Sequence, residues 1–94
     1  MNWNEYKDNV KKTDPVGKEM IEEAEAEAAI ISAMIRQRSA LGLSQRDLAI
    51  LCDIPQSTLA RIESSKTTPR LDTLLKLLSQ LGLTLSVKPI TPTN

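Results

Sequence analysis

The stretch SQRDLAILCDIPQSTLARIESSKT, from Ser44 to Thr67, decides how this chain is read. Ser44 is a good helix N-cap, and Asp47 stands three positions on, where its carboxylate reaches back to the cap amide; this is a capping box with Asp in place of the usual Glu. Leu48, Ala49, Leu51 and Cys52 follow at helical spacing and give one apolar face. Asp53 falls where the helix must end, and Asp tolerates the left-handed backbone of a tight turn better than most residues. Ile54 is expected in the core. Pro55 suits the first turn of a second helix, where its missing N–H lacks an intrahelical partner in any case. In that second helix Leu59 and Ile62 face inward, leaving Gln56, Ser57, Thr58, Ala60 and Arg61 outside.

Two short helices joined by a tight turn, the second polar outside, make a helix-turn-helix layout, whose second helix enters the DNA major groove. The outward residues suit that chemistry. Gln pairs bidentately with adenine and Arg with guanine, Ser and Thr bond bases or phosphates, and an Ala60 methyl fits a thymine methyl. Gln45, opening the first helix, is a candidate phosphate contact beside a helix N-terminus. Lys66, Thr67, Thr68 and Arg70 form a short basic loop suited to straddling the backbone, with Thr58 as a further phosphate contact. Any one of these is equally readable as a solvated polar residue; agreement of cap, turn, core and polar face carries the reading.

The runs LGLSQRDLA, ARIESSK and LDTLLKLLSQLG resemble the Xre/Cro family, which includes the lambdoid phage repressors, over about Ile31 to Leu83. The resemblance implies that Gln45 clamps a phosphate, that Gln56, Ser57 and Arg61 read bases, and that Glu63 is a structural acid at the end of the reading helix. Asp53 and Ser65 stand where the family usually has Gly.

Composition sets the outer limits. The chain has 94 residues and only two aromatic ones, Trp3 and Tyr6, so the core must be aliphatic. No stretch is long enough to span a membrane and no secretory pattern is present, so a cytoplasmic protein is expected. Cys52, alone on an apolar face, reads as a buried, inert thiol. With no His, no Gly-rich phosphate loop and no paired carboxylates in a plausible pocket, there is no catalytic or metal set; no enzyme activity and no cofactor is expected.

The charge balances to zero but is unevenly spread. Met1–Ile35 holds eight acidic and four basic residues, a net −4; from Arg36 onward there are eight basic and four acidic, a net +4. Such asymmetry suggests two different partners.

The rest of the chain is read around this centre. Trp3, Tyr6 and Val10 fit one face of a short helix that is too short to be stable alone. Asp14–Pro15 is a strong helix start. The pattern then stays helical to about Leu41, with Gly42 as C-cap. Its apolar stripe is Val16, Met20, Ala24, Ala28, Ile31 and Ile35, with Ile21, Ala33 and Met34 alongside, and Glu19, Glu22, Glu23, Glu25 and Glu27 make its first half acidic, suiting the helix dipole. Arg36 and Arg38 complement the other end.

Leu71–Leu81 holds more leucines than one core stripe needs; some are expected to meet a second copy, although full burial in one chain would read the same way. Leu83, Leu85 and Val87 alternate with Thr84, Ser86 and Lys88 in a strand pattern that has no partner strand in this chain. The expected fold is therefore an all-α, lambda-repressor-like helix-turn-helix bundle with a long acidic N-terminal helix and one short C-terminal β-strand paired across a dimer. Residues 1–29 form a partner-binding arm, 30–82 the DNA-binding domain, and 83–94 a dimerising strand and tail. Leu78, Leu81, Leu83, Leu85 and Val87 are the candidate dimer contacts.

The wider run DPVGKEMIEEAEAEAAIISAMIRQRSALGLSQ, with Arg38–Gln45 supplying RSALGLSQ, resembles HigA-type antitoxins. That resemblance implies a small basic RelE- or HigB-like mRNA-interferase toxin as partner and autorepression of a shared operon; the expected twofold dimer, separately, calls for a palindromic or near-palindromic double-stranded operator. Trp3, Tyr6, Met20, Ile21, Glu22 and Glu23 are the candidate toxin contacts. The alternatives are a plain Xre-type repressor without a toxin, and an interaction module that has lost DNA binding.

Overall fold

The structure is a computed structural model that describes residues 15–90. Four helices follow one another: α1 (Pro15–Ala40), α2 (Gln45–Leu51), α3 (Gln56–Glu63) and α4 (Leu71–Gln80). The chain divides into two compact units, Met1–Ala33 and Met34–Asn94.

The second unit is built on aliphatic side chains. Met34, Leu48, Ala49, Cys52, Leu59, Ile62, Leu74, Leu77, Leu78 and Leu81 are all buried. Helices of seven or eight residues, as α2 and α3 are, do not persist alone in water, so this shared burial is what keeps them formed. At the end of α1, Gln37 Nε2 donates to the Leu81 carbonyl at 2.9 Å and satisfies a carbonyl at the end of α4.

The start of α2 is the expected capping box. Asp47 N–H donates to Ser44 Oγ at 3.0 Å, and Ser44 N–H donates to Asp47 Oδ2 at 2.9 Å. Hydrogen bonds from the Ser44 backbone and then its hydroxyl hold the Asp47 carboxyl below the usual carboxylate value. A depressed folded-state pKa contributes stability that is complete above the unfolded value, about 4, and is lost as pH falls through the folded value. The melting temperature is therefore expected to fall on acidification from about pH 5 to about pH 2, and Asp47→Asn to lack this part of the decline in melts followed by circular dichroism.

All four helices close in the same way. The amide at C″ returns to the carbonyl five residues back and the C′ amide to the carbonyl three back: Leu43 to Arg38 with Gly42 to Ser39, Ile54 to Ala49 with Asp53 to Ile50, Lys66 to Arg61 with Ser65 to Ile62, and Leu83 to Leu78 with Gly82 to Ser79. These are Schellman closures, and each needs a left-handed residue at C′. Two of those are Gly42 and Gly82; the others are Asp53 at φ 54° and Ser65 at φ 60°. The two departures from the Xre/Cro pattern thus keep the turn geometry and pay in backbone strain. Ser65→Gly is expected to stabilise the fold by about 0.5–1 kcal/mol, and Asp53→Gly by less, since Asp tolerates this region better; urea denaturation checks both.

Several expectations are corrected. The C-terminal strand is absent: the described residues contain four helices and no strand, and residues 83–90 carry no regular structure. Period-two alternation encodes a strand only where a second strand accepts its hydrogen bonds, and no such strand exists among the described residues. The fold class expected above, with a strand paired across a dimer, is overturned on this point. The acidic start of α1 is also not found: its first turn carries no acidic residue, and the dipole acts only within that turn. Among the described side chains of α1 the buried ones are Ile21, Ile31 and Met34, while Met20, Ala24 and Ala28 are exposed, so the stripe is rotated from the expected one.

Smaller shifts follow. Ile54 is half-buried, because it is the C″ residue of the α2 closure rather than a core side chain. Leu51 is half exposed. Pro55 is the N-cap of α3, extended at ψ 142°, and α3 begins at Gln56; a proline at the cap costs no intrahelical bond either. The Asp14 cap, the Trp3–Tyr6–Val10 helix and the tail beyond Ile90 lie outside the described residues.

Candidate nucleic-acid interface

Helix α3 presents one polar stripe. Leu59 and Ile62 are buried on its inner side, and helical geometry then turns residues 57, 60 and 61 to the other, with Gln56 at the edge of the stripe. Gln56, Ser57 and Arg61 are exposed, and Thr58 and Ala60 are half-buried. Arg61 has no ion-pair partner among the described residues. After α3, Lys66 and Thr68 are exposed and Thr67 half-buried, on the loop leading to Arg70. Arg70 is the N-cap residue of α4, and its Nε lies 3.3 Å from Asp72 Oδ1 on the surface, so part of its charge is already offset. An exposed pair of this kind is worth about 0–1 kcal/mol and opens readily.

The acid at the end of α3 has a defined job. Glu63 takes a bidentate pair from Arg38, Nε to Oε2 at 2.8 Å and Nη2 to Oε1 at 2.7 Å. The two side chains are 5% and 14% exposed. Arg38 Nη1 also donates to the Leu43 carbonyl at 2.9 Å, so one guanidinium ties the end of α1 to both the α1–α2 turn and α3. Gln45 Nε2 donates to Glu63 Oε1 at 3.0 Å. Resemblance alone points to a structural part for Glu63, whereas local charge patterning places Arg38 only against the helix dipole and does not predict the pairing. A signal existed: Glu63 follows Leu59 by four residues, which puts a carboxylate on the inner face and demands a cation there.

Four of the other proposed contacts are placed differently from expectation. Leu78 and Leu81 are buried within the chain and are not offered to a second copy, because α4 uses Leu74, Leu77, Leu78 and Leu81 for its own core. Leu83 is half-buried, while Leu85 and Val87 are exposed. Ile21 is buried, whereas Met20, Glu22 and Glu23 are exposed. Trp3 and Tyr6 lie outside the described residues. Burial pushes the Cys52 thiol pKa up, which suits an unreactive core residue. No described helix is long and apolar enough to cross a membrane.

A protein-family model described as Helix-turn-helix matches residues 33–88, more than half the chain. The chain belongs to the Xre-type helix-turn-helix family. An uncharacterized HTH-type transcriptional regulator of Haemophilus influenzae is 41% identical over 93 residues, covering 99% of this chain and 90% of that protein. A solved structure described as a toxin–antitoxin module from Streptococcus pneumoniae contains a chain that is 40% identical, with a TM-score of 0.71 over 96% of this chain and 94% of that one. The helix-turn-helix is formed by α2, the Asp53 turn and α3. This makes α3 the counterpart of the reading helix.

Proposed function

We propose that this regulator is a DNA-binding antitoxin that represses its own operon and captures a small basic mRNA-interferase toxin. The observation that carries the DNA half is the exposed stripe of Gln56, Ser57 and Arg61 on a helix whose opposite side is core. In this reading those three side chains meet base edges, and Gln45, Thr58, Lys66, Thr68 and Arg70 meet phosphates. One helix covers only a few base pairs. Two copies reading half-sites of a palindrome, about 34 Å apart, give usable specificity, so a homodimer is part of the proposal. Leu85 and Val87 are the dimer candidates left at the surface.

The toxin half is supported by the likeness to a chain of a toxin–antitoxin module across nearly the full length. It is also supported by the charge division, with a net −4 before Arg36. Glu22 and Glu23 beside Met20, all exposed, offer a basic protein both charge and apolar contact. Residues 1–29 are the arm in this reading, 30–82 the DNA-binding domain and 83–94 the tail.

The test is a tagged purification from the native host at moderate salt, with mass spectrometry of what co-purifies. A stoichiometric small basic protein that is lost on deleting residues 1–28 supports the antitoxin reading. DNA binding with no protein partner would leave a plain repressor.

A further inference from the structure

Glu63 is the only acidic residue of α3, and a carboxylate beside DNA phosphates is ordinarily repulsive. Here it is almost wholly engaged: Oε2 accepts from Arg38 Nε, while Oε1 accepts from both Arg38 Nη2 and Gln45 Nε2. A carboxylate only accepts, so Gln45 must turn its amide nitrogen toward Glu63. One N–H of that nitrogen is used there, and the second N–H and the amide oxygen remain. A long, flexible Gln side chain is thereby held in one orientation before any ligand arrives. Arg38 cannot drift either, since Nη1 is fixed on the Leu43 carbonyl.

We propose that Glu63, held by Arg38, is a positioning residue that presets Gln45 for its phosphate and fixes that contact in register with the bases under α3. Gln45 belongs to α2 and Glu63 to α3, so the hydrogen bond joins the phosphate-holding helix to the reading helix directly. The inference rests on the reading of Gln45 as a phosphate contact.

The experiment separates positioning from folding. Arg38→Met with Glu63→Met removes both charges together and leaves no buried ion unpaired, so the domain is expected to melt at or near the wild-type temperature. Binding to a mixed-sequence duplex, followed by fluorescence anisotropy at low salt, is expected to weaken about three- to tenfold, the cost of ordering one free side chain. In a Gln45→Ala background the same double replacement is expected to have no effect. An equal loss in both backgrounds, or no loss in either, would overturn the proposal. Gln45→Ala that leaves duplex binding unchanged would overturn the phosphate reading itself, and the positioning role with it. The unmodified protein supplies a second readout that needs no variant. Without DNA, the Gln45 side-chain amide is expected to show a heteronuclear NOE close to backbone values; a value typical of free surface glutamines would contradict the proposal.

Discussion

Arg38→Met alone is expected to destabilise the second unit by up to about 3–5 kcal/mol, the range for stranding one partner of a buried ion pair, which this part-buried pair approaches on the Glu63 side. Glu63 is 5% exposed, accepts two bonds from Arg38 and keeps only Gln45 when the guanidinium is gone. The Leu43 carbonyl at the α1–α2 turn loses a donor in the same substitution. Replacing both charges by Met is expected to be close to neutral, because the attraction and the desolvation cost disappear together. Urea denaturation of the two single variants and the double variant measures the difference. Equal stability of Arg38→Met and wild type would mean that the pair contributes nothing to the fold.

Leu77→Ala is expected to cost about 2–5 kcal/mol, the range for deleting a fully buried leucine and leaving a partly relaxed cavity. Leu77 is 0% exposed on α4, flanked by the buried Leu74, Leu78 and Leu81. Among the described residues the core has no aromatic side chain to fill the gap, and a domain this small has about 5 kcal/mol of stability to lose. Leu75→Ala, on the same helix but 46% exposed, is the control and is expected to cost less than half as much. Thermal melts of both separate the loss of core packing from the loss of a helical leucine as such.

Much of the helix-turn-helix was legible because its signals are local. The Ser44–Asp47 box, the αL residue Asp53, and Leu59 with Ile62 three apart each depend only on near neighbours along the chain. The errors fell where a partner decides the outcome. Leu83, Leu85 and Val87 alternate as a strand does, but alternation says nothing about whether another strand is there to pair. Leu78 and Leu81 look surplus on α4, yet both are buried, and the contacts that reach this helix, Gln37 to the Leu81 carbonyl and the Cys52 thiol 3.9 Å from the Lys76 carbonyl, come from segments distant in sequence. The rotation of the α1 stripe toward Ile21, Ile31 and Met34 has the same origin: several faces of an alanine-rich helix are apolar enough to be buried.

The candidate site was legible in type but not in support. Gln56, Ser57 and Arg61 are exposed on one stripe, as helical spacing requires. Arg38 and Glu63 lie 25 residues apart in sequence, and Gln45 and Glu63 lie 18 apart, and no local rule joins them. The exposed polar stripe of α3 is therefore visible from sequence alone, whereas the ion pair that ties α3 to the end of α1 needs the fold.

The central claim is that α3 reads DNA, and Arg61→Ala tests it most directly. Duplexes are first selected from a random pool by the wild-type protein, and single-base variants of the selected site are then competed in fluorescence anisotropy. The account predicts that Arg61→Ala loses about 1–3 kcal/mol of discrimination at one base pair in each half-site, with little change in binding to mixed-sequence DNA. A variant that keeps the wild-type preference at every position would contradict the placement of α3 in the groove.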